Sequence, residues 1–333
     1  MHEGIFLIGA IIILAILYDF TNGWNDAANA IATVVSTKVL TPMVAVLFAA
    51  VLNVLGAFYN TEVAKTIGKG IVDPKFLPPI AVVSALAGTV IWNVFLTLKG
   101  MPISITHSLV GAIMGAGIVE AGFSLSVLKV KVVVKILVAL LVSPLLGFIV
   151  AMIAIKLLFF IFRNANPSRA NKWFARLQII SSAFMAFSHG ANDAQNAMGI
   201  ITAALFSGGF IKVFEVPYWV ILLCATVIGL GTAVGGWRVI RTLGQRIYNL
   251  RTVHGFTAET TSALVILFAT KLGIPISTTH VITSAVVGVG SSKRLSAVRW
   301  GIAFNILFAW IATIPACVII SGIFLMILKG FFS

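Results

Sequence analysis

The chain has 333 residues, of which 60% are hydrophobic and only 10% charged, with a mean hydropathy of +1.10. A soluble chain carries about 25% charged residues, so a water-soluble globular fold is excluded. The net charge of +14 does not mark a nucleic-acid binder, because the basic residues sit in short loops between apolar runs, with no basic helical face and no aromatic–basic interleaving. They fit the cytoplasmic bias of basic loops and an attraction to anionic membrane lipids.

Runs free of Asp, Glu, Lys and Arg, among them Val39–Thr61, Phe76–Leu98, Val216–Trp237 and Trp300–Leu328, reach the roughly 20 residues needed to cross a bilayer as a helix. In chain order the pattern predicts segments over 5–35, 40–59, 77–98, 102–119 and 131–161, then 177–206, 217–237, 252–270, 274–290 and 298–328. The fold class is an all-α polytopic membrane protein of about 10–12 membrane segments. Ile5–Leu17 has the length of a signal h-region, but Met1-His2-Glu3 lacks a basic start, so the segment is read as retained. Cys224 and Cys317 lie inside apolar runs and read as packing residues.

The stretch Phe20-Thr21-Asn22-Gly23-Trp24-Asn25-Asp26-Ala27-Ala28-Asn29-Ala30 returns 167 positions later as Phe187-Ser188-His189-Gly190-Ala191-Asn192-Asp193-Ala194-Gln195-Asn196-Ala197, identical at seven of eleven positions. Pro102-Ile103-Ser104-Ile105-Thr106-His107 returns as Pro275-Ile276-Ser277-Thr278-Thr279-His280. Lys65-Thr66-Ile67-Gly68 is echoed more weakly by Arg241-Thr242-Leu243-Gly244. The chain therefore divides into repeats over 1–165 and 177–333, joined by a basic cytoplasmic linker at 166–176. Arg163–Arg176 and Arg238–Arg251 each hold four basic residues and no acid, whereas the first-half counterpart of the latter, Glu62–Lys75, balances Lys65, Lys69 and Lys75 against Glu62 and Asp73. A loop that is basic in one half and nearly neutral in the other predicts inverted repeats with interrupted helices meeting at the bilayer midplane, and both termini outside.

An intramembrane carboxylate costs several kcal/mol unless it has partners, so Asp26 and Asp193 point to a functional site. Gly23 and Gly190, with Asn and Ser/Thr around them, predict a broken helix there, whose amide end attracts an anion and whose carbonyl end holds a hard cation such as Na⁺. A helix-packing motif accounts for the Gly, Ala and Asn but not for the two aspartates. Pro followed by Ser/Thr predicts a half-helix start at which Ser104, Thr106, Ser277, Thr278 and Thr279 add hydroxyl donors, a nest for an oxyanion. His107 and His280 read as helix-start hydrogen-bonding residues rather than metal ligands. His189, four residues before Asp193, is a candidate partner for that aspartate. Glu259 is a second intramembrane acid, open to a cation or proton role or to that of a helix-entry charge.

Gly-x-Asn-Asp-Ala-x-Asn-Ala twice, each copy followed by Pro-x-Ser-x-Thr-His, resembles the inorganic phosphate transporter (PiT) family over essentially the whole chain. Trp24 departs from the small residue usual at its position, and the long loop of eukaryotic members is absent, which points to a compact prokaryotic form. The resemblance implies an inverted-repeat bundle in the cytoplasmic (inner) membrane that carries phosphate with Na⁺, or with H⁺ in some members. It implies phosphate ligands among Asn25, Asp26, Ser104, Thr106, Asn192, Asp193, Gln195, Ser277, Thr278 and Thr279. Na⁺ ligands are expected among Asn22, Asp26, Asn29, Asp193 and Asn196, with Glu259 and His189 in coupling. A homodimer is compatible with this reading. Sulfate or another oxyanion is the alternative cargo. An intramembrane aspartyl protease also needs two membrane aspartates, but has no use for duplicated Ser/Thr nests. A passive channel lacks its ring of like residues.

Overall fold

The structure is a computed structural model, which describes residues 2–68, 70, 72 and 76–332. The first half forms α1 (His2–Ser36), α2 (Pro42–Ala57), α3 (Glu62–Gly68), α4 (Pro79–Lys99), α5 (Ile105–Glu120) and α6 (Val130–Ile161). The second repeats that order in α7 (Pro167–Ser207), α8 (Tyr218–Val234), α9 (Trp237–Arg241, continuing as a π turn to Arg246), α10 (Thr252–Lys271), α11 (Thr278–Ser291) and α12 (Trp300–Phe332). Every predicted segment is a helix, with ends shifted by a few residues except in the longest. Residues 166–176 are the cap and first turns of α7, where Asn166 Oδ1 accepts from the amides of Ser168 (3.0 Å) and Arg169 (3.3 Å). Of the predicted near-neutral loop, Lys69, Asp73 and Lys75 lie outside the described residues.

α1, α4, α6 and α12 are long and apolar enough to cross a membrane, and α2–α3 and α8–α9 qualify as bent pairs, kinked by 73° and 62°. The weak third repeat falls on the short helical piece that follows each kink. α6 and α12 show lipid-like surface, with Leu141 and Phe308 about 70% exposed, as expected where hydrocarbon is the solvent.

The predicted helix break at the signature segments is wrong. α1 and α7 run unbroken through 20–30 and 187–197. Gly23 and Gly190 serve close approach instead. A methyl on Gly23 would lie 2.2 Å from the carbonyl oxygen of Ile228, and one on Gly190 2.1 Å from that of Asn53. Small residues let membrane helices approach this closely. The interruptions fall between α4 and α5 and between α10 and α11, where Ser104 and Ser277 cap the second helix of each hairpin by accepting from the amides of His107 (3.3 Å) and His280 (3.2 Å).

Two apolar clusters frame the middle of the molecule. One joins Ile11 and Ala15 of α1 to Leu86, Ile105 and Leu109 of the first hairpin and to Met198 and Ile201 of α7. The other joins Ala28 and Ile31 of α1 to Ile266, Val281, Ile282 and Val286 of the second hairpin. The signature segments run between them.

Candidate functional site

α1 carries Asp19, Asn22, Asp26, Asn29 and Thr33 at steps of three and four residues, which places them on one face. All five are buried. At 1.5 Å per residue this row is about 21 Å long, most of the thickness of a bilayer's hydrocarbon. α7 brings His189, Asn192, Asp193 and Asn196, also buried, alongside.

The two aspartates converge on the start of α11. Thr278 Oγ1 donates to Asp193 Oδ2 at 2.8 Å, with Asp26 Oδ2 at 3.3 Å. Thr279 Oγ1 donates to Asp26 Oδ1 at 3.0 Å. His189 closes the other side, its Nε2 lying 3.1 Å from Asp193 Oδ2 and 3.6 Å from Asp26 Oδ2. Its Nδ1 faces Asn53 Oδ1 at 3.0 Å, and Asn53 uses its amide nitrogen on Thr232 (2.7 Å), so the Nδ1 proton points at Asn53. An Asp26–His189–Asp193 group with ligand atoms within 4.8 Å of one another is a set that a cation can occupy.

The Asn residues come in equivalent pairs. Asn25 pairs with Thr97, and Asn192 with Thr270, both at 2.8 Å. Asn29 donates to Thr279, and Asn196 to Thr106, both at 3.0 Å and both between halves. Three of these bonds leave an amide oxygen over, whereas the amide of Asn192 satisfies its hydrogen bonds when its oxygen accepts from Thr270 Oγ1 and its nitrogen donates to Asp193 Oδ1 at 3.0 Å. Oδ1 of Asn25, Asn29 and Asn196, and both amide atoms of Asn22, are buried with no partner among the described residues. Oxygen atoms of this kind beside two carboxylates are the donor set that hard cations take. At the same level the rings of His107 and His280 meet edge to face at 4.5 Å, and His280 stacks on Trp310 at 3.8 Å.

Most of the expected residues meet here, but not all. Gln195, expected among the phosphate ligands, turns to α3, accepting from the amide of Ala64 (3.0 Å) and donating to Asn60 Oδ1 (2.9 Å). The oxygens of Ser104 and Ser277 each accept a cap bond, and their O–H groups remain to donate to an anion. Glu259 is no helix-entry charge, being fully buried and accepting from Thr33 Oγ1, Ser181 Oγ and Gln178 Nε2 (3.2 Å for the last). Its link to Thr33 puts it about 10 Å along α1 from Asp26. Sequence reasoning gave no transport role to Asp19, whose carboxylate oxygens are both buried without a partner among the described residues, or to Asn53 and the Thr97/Thr270 pair.

A family model described as the phosphate transporter family matches residues 22–321. This chain belongs to that family. The transporter is 43% identical over 319 residues to a "Probable low-affinity inorganic phosphate transporter" of Rhizobium meliloti, with 95% of each chain covered. It is equally identical over 325 residues to one of Bacillus subtilis, covering 97% of each. Among solved structures it resembles one titled "The sodium-dependent phosphate transporter", with a TM-score of 0.88 and 30% identity over 97% of this chain and 99% of that one. The family and these relatives are transporters, not enzymes, and the chain is a multi-pass membrane protein.

Proposed function

We propose that this chain carries inorganic phosphate across the cytoplasmic membrane together with a cation, Na⁺ first, by alternating access of two inverted halves. The observation that carries the reading is the convergence of Asp26 and Asp193, one from each half, on the hydroxyls that open α11. Two carboxylates repel a phosphate anion unless cations join the site. The amide oxygens of Asn22, Asn25, Asn29 and Asn196 and the two carboxylates would hold Na⁺. Thr106, Thr278, Thr279 and the O–H groups of Ser104 and Ser277, beside the first turns of α5 and α11, would hold phosphate oxygens. Phosphate at neutral pH retains protons and donates to a carboxylate, whereas sulfate has none to donate, so the same geometry favours phosphate. The named similarities to low-affinity and sodium-dependent phosphate transporters support the cargo and the ion.

The equivalent Asn–Thr bonds, the kinked pairs and the two capped hairpins support a two-fold relation between 1–165 and 177–333. With the loop charges, that relation supports a topology with both termini outside. A second reading, with H⁺ as the coupling ion, is favoured by His189, which already sits as a cation-sized group between the aspartates.

The test is labelled phosphate uptake by the purified chain in liposomes, under an inward Na⁺ gradient and, separately, an inward proton gradient. Accumulation driven by Na⁺ supports the first reading, and by protons alone the second. Equilibration without accumulation under both gradients would overturn coupled transport.

A further inference from the structure

A cavity of about 670 Å³ lies beside the first turn of α10, roughly 27 Å along that helix from Thr270. Arg251, Lys293, Arg294 and Arg299 line it, with no carboxylate in the lining. Among the described residues none of the four is ion-paired. Arg299 is fixed by donating to the carbonyls of Gln245 (3.2 Å) and Arg246 (3.4 Å), and Lys293 lies over the Phe159 ring at 4.9 Å. A pocket lined by one sign of charge concentrates counter-ions of the other.

A second observation is independent of the charges. His254, 3% exposed, also lines the cavity. Its Nδ1 accepts from the amide of Arg251 at 3.2 Å, so in the neutral ring the proton sits on Nε2. That Nε2–H is buried with no acceptor among the described residues. Edge contacts with Tyr248 (5.2 Å) and Phe159 (5.9 Å) hold the ring in place, so it cannot turn to find one. A buried donor without an acceptor costs about 1–3 kcal/mol, and every charged residue of the lining other than this ring is a cation.

The position of these groups gives the cavity a role. Arg251 and His254 open α10, whereas Lys293 and Arg294 directly follow α11. The open end of the second hairpin is thus ringed by mutually repelling cations, while its closed end carries Thr278 and Thr279. We propose that this cavity binds a phosphate-bearing anion, which ties the start of α10 to the loop after α11 and braces the hairpin that holds half of the transport site. The volume exceeds a bare orthophosphate and suits a lipid headgroup or a small polyphosphate. The site stands on its own geometry, and only its placement on the cytoplasmic face rests on the topology proposed above.

The test follows thermal unfolding of the full chain in neutral detergent, titrated with pyrophosphate in one arm. In the other arm, phosphatidylglycerol is mixed into the micelles and compared with phosphatidylcholine. Asp193→Asn is run in parallel, so that binding at the transport site does not contribute. At least one anion is expected to raise the melting temperature saturably in both proteins. In Arg251→Gln/Lys293→Gln/Arg294→Gln the half-saturating concentration rises about tenfold or more, as expected for lost charge-assisted bonds. A response to pyrophosphate assigns a soluble ligand, and a response to phosphatidylglycerol alone assigns a lipid. If neither anion stabilises the native chain, or the triple variant responds as the native chain does, the proposal fails. Should the triple variant not fold, His254→Phe keeps the ring packing and removes the Nε2–H. A midpoint about fivefold weaker then supports the site, and an unchanged one overturns it.

Discussion

At the start of α5 the chain reads Pro102-Ile103-Ser104-Ile105-Thr106-His107, and at the start of α11 it reads Pro275-Ile276-Ser277-Thr278-Thr279-His280. Five of six positions agree, and the one that differs gives the second hairpin an acid contact beyond that of Thr279. Ile105 packs into the apolar cluster with Leu109, whereas Thr278 donates to Asp193 and lies beside Asp26. Both aspartates therefore lean on the second hairpin. Elements kept in both halves, such as the Ser104 and Ser277 caps and the Asn25–Thr97 and Asn192–Thr270 pairs, build the frame. Elements that differ carry charge or hydrogen bonds to charge. His189 stands opposite Asn22 in the repeat, and Asp19 opposite Ala186.

The largest break in this comparison comes from the acids themselves. Asp26→Asn and Asp193→Asn are each expected to lower gradient-driven phosphate uptake at least about 100-fold, the scale of several kcal/mol set by a buried charge, with the helical fold intact by circular dichroism. Full uptake in either would remove the cation-site argument. The hydroxyls come next. Thr278→Val removes a proposed phosphate ligand together with a bond to a carboxylate and should weaken apparent phosphate affinity about 100-fold, whereas Thr106→Val removes a proposed phosphate ligand together with a neutral bond to Asn196 and should cost about tenfold. Equal effects from the two would mean that the hairpins act symmetrically. Glu259→Gln keeps a group able to hydrogen-bond with Thr33, Ser181 and Gln178 but removes the charge. It should slow uptake about tenfold and shift its Na⁺ dependence, within the range of inter-site coupling energies. Unchanged kinetics would make it a structural residue. Ser104→Ala and Ser277→Ala should each cost about 1 kcal/mol in thermal stability, alike because both are caps. A gap well beyond that between the two would show that one hydroxyl has a further partner.

Much of this was legible in the sequence because duplication marks what both halves need. The two aspartates, the hairpin starts and the order of helices all follow from repeated motifs set in apolar runs. The continuity of α1 and α7 was not legible. Gly among Asn and Asp suits a break as well as a close crossing, and only the carbonyls of Ile228 and Asn53 against Gly23 and Gly190 decide it. Asp19 was visible as an acid inside an apolar run but had no copy, so a search by repeats passes it by. Thr97 and Thr270 do recur at the hairpin offset, inside helix ends whose apolar neighbours hide them. Gln195 turns to Ala64 and Asn60 because a signature position says which helix a residue is on, not which face it takes.

The central claim is that anion and cation share one site at Asp26 and Asp193, and linkage at equilibrium tests it most directly. Binding of labelled phosphate to the purified chain should be measured across a Na⁺ titration, with choline as the balancing ion. Phosphate affinity is expected to rise with Na⁺, Na⁺ affinity to rise by the same factor with phosphate, and both effects to vanish in Asp193→Asn. Phosphate binding that is indifferent to Na⁺ and to protons and survives Asp193→Asn would contradict the account.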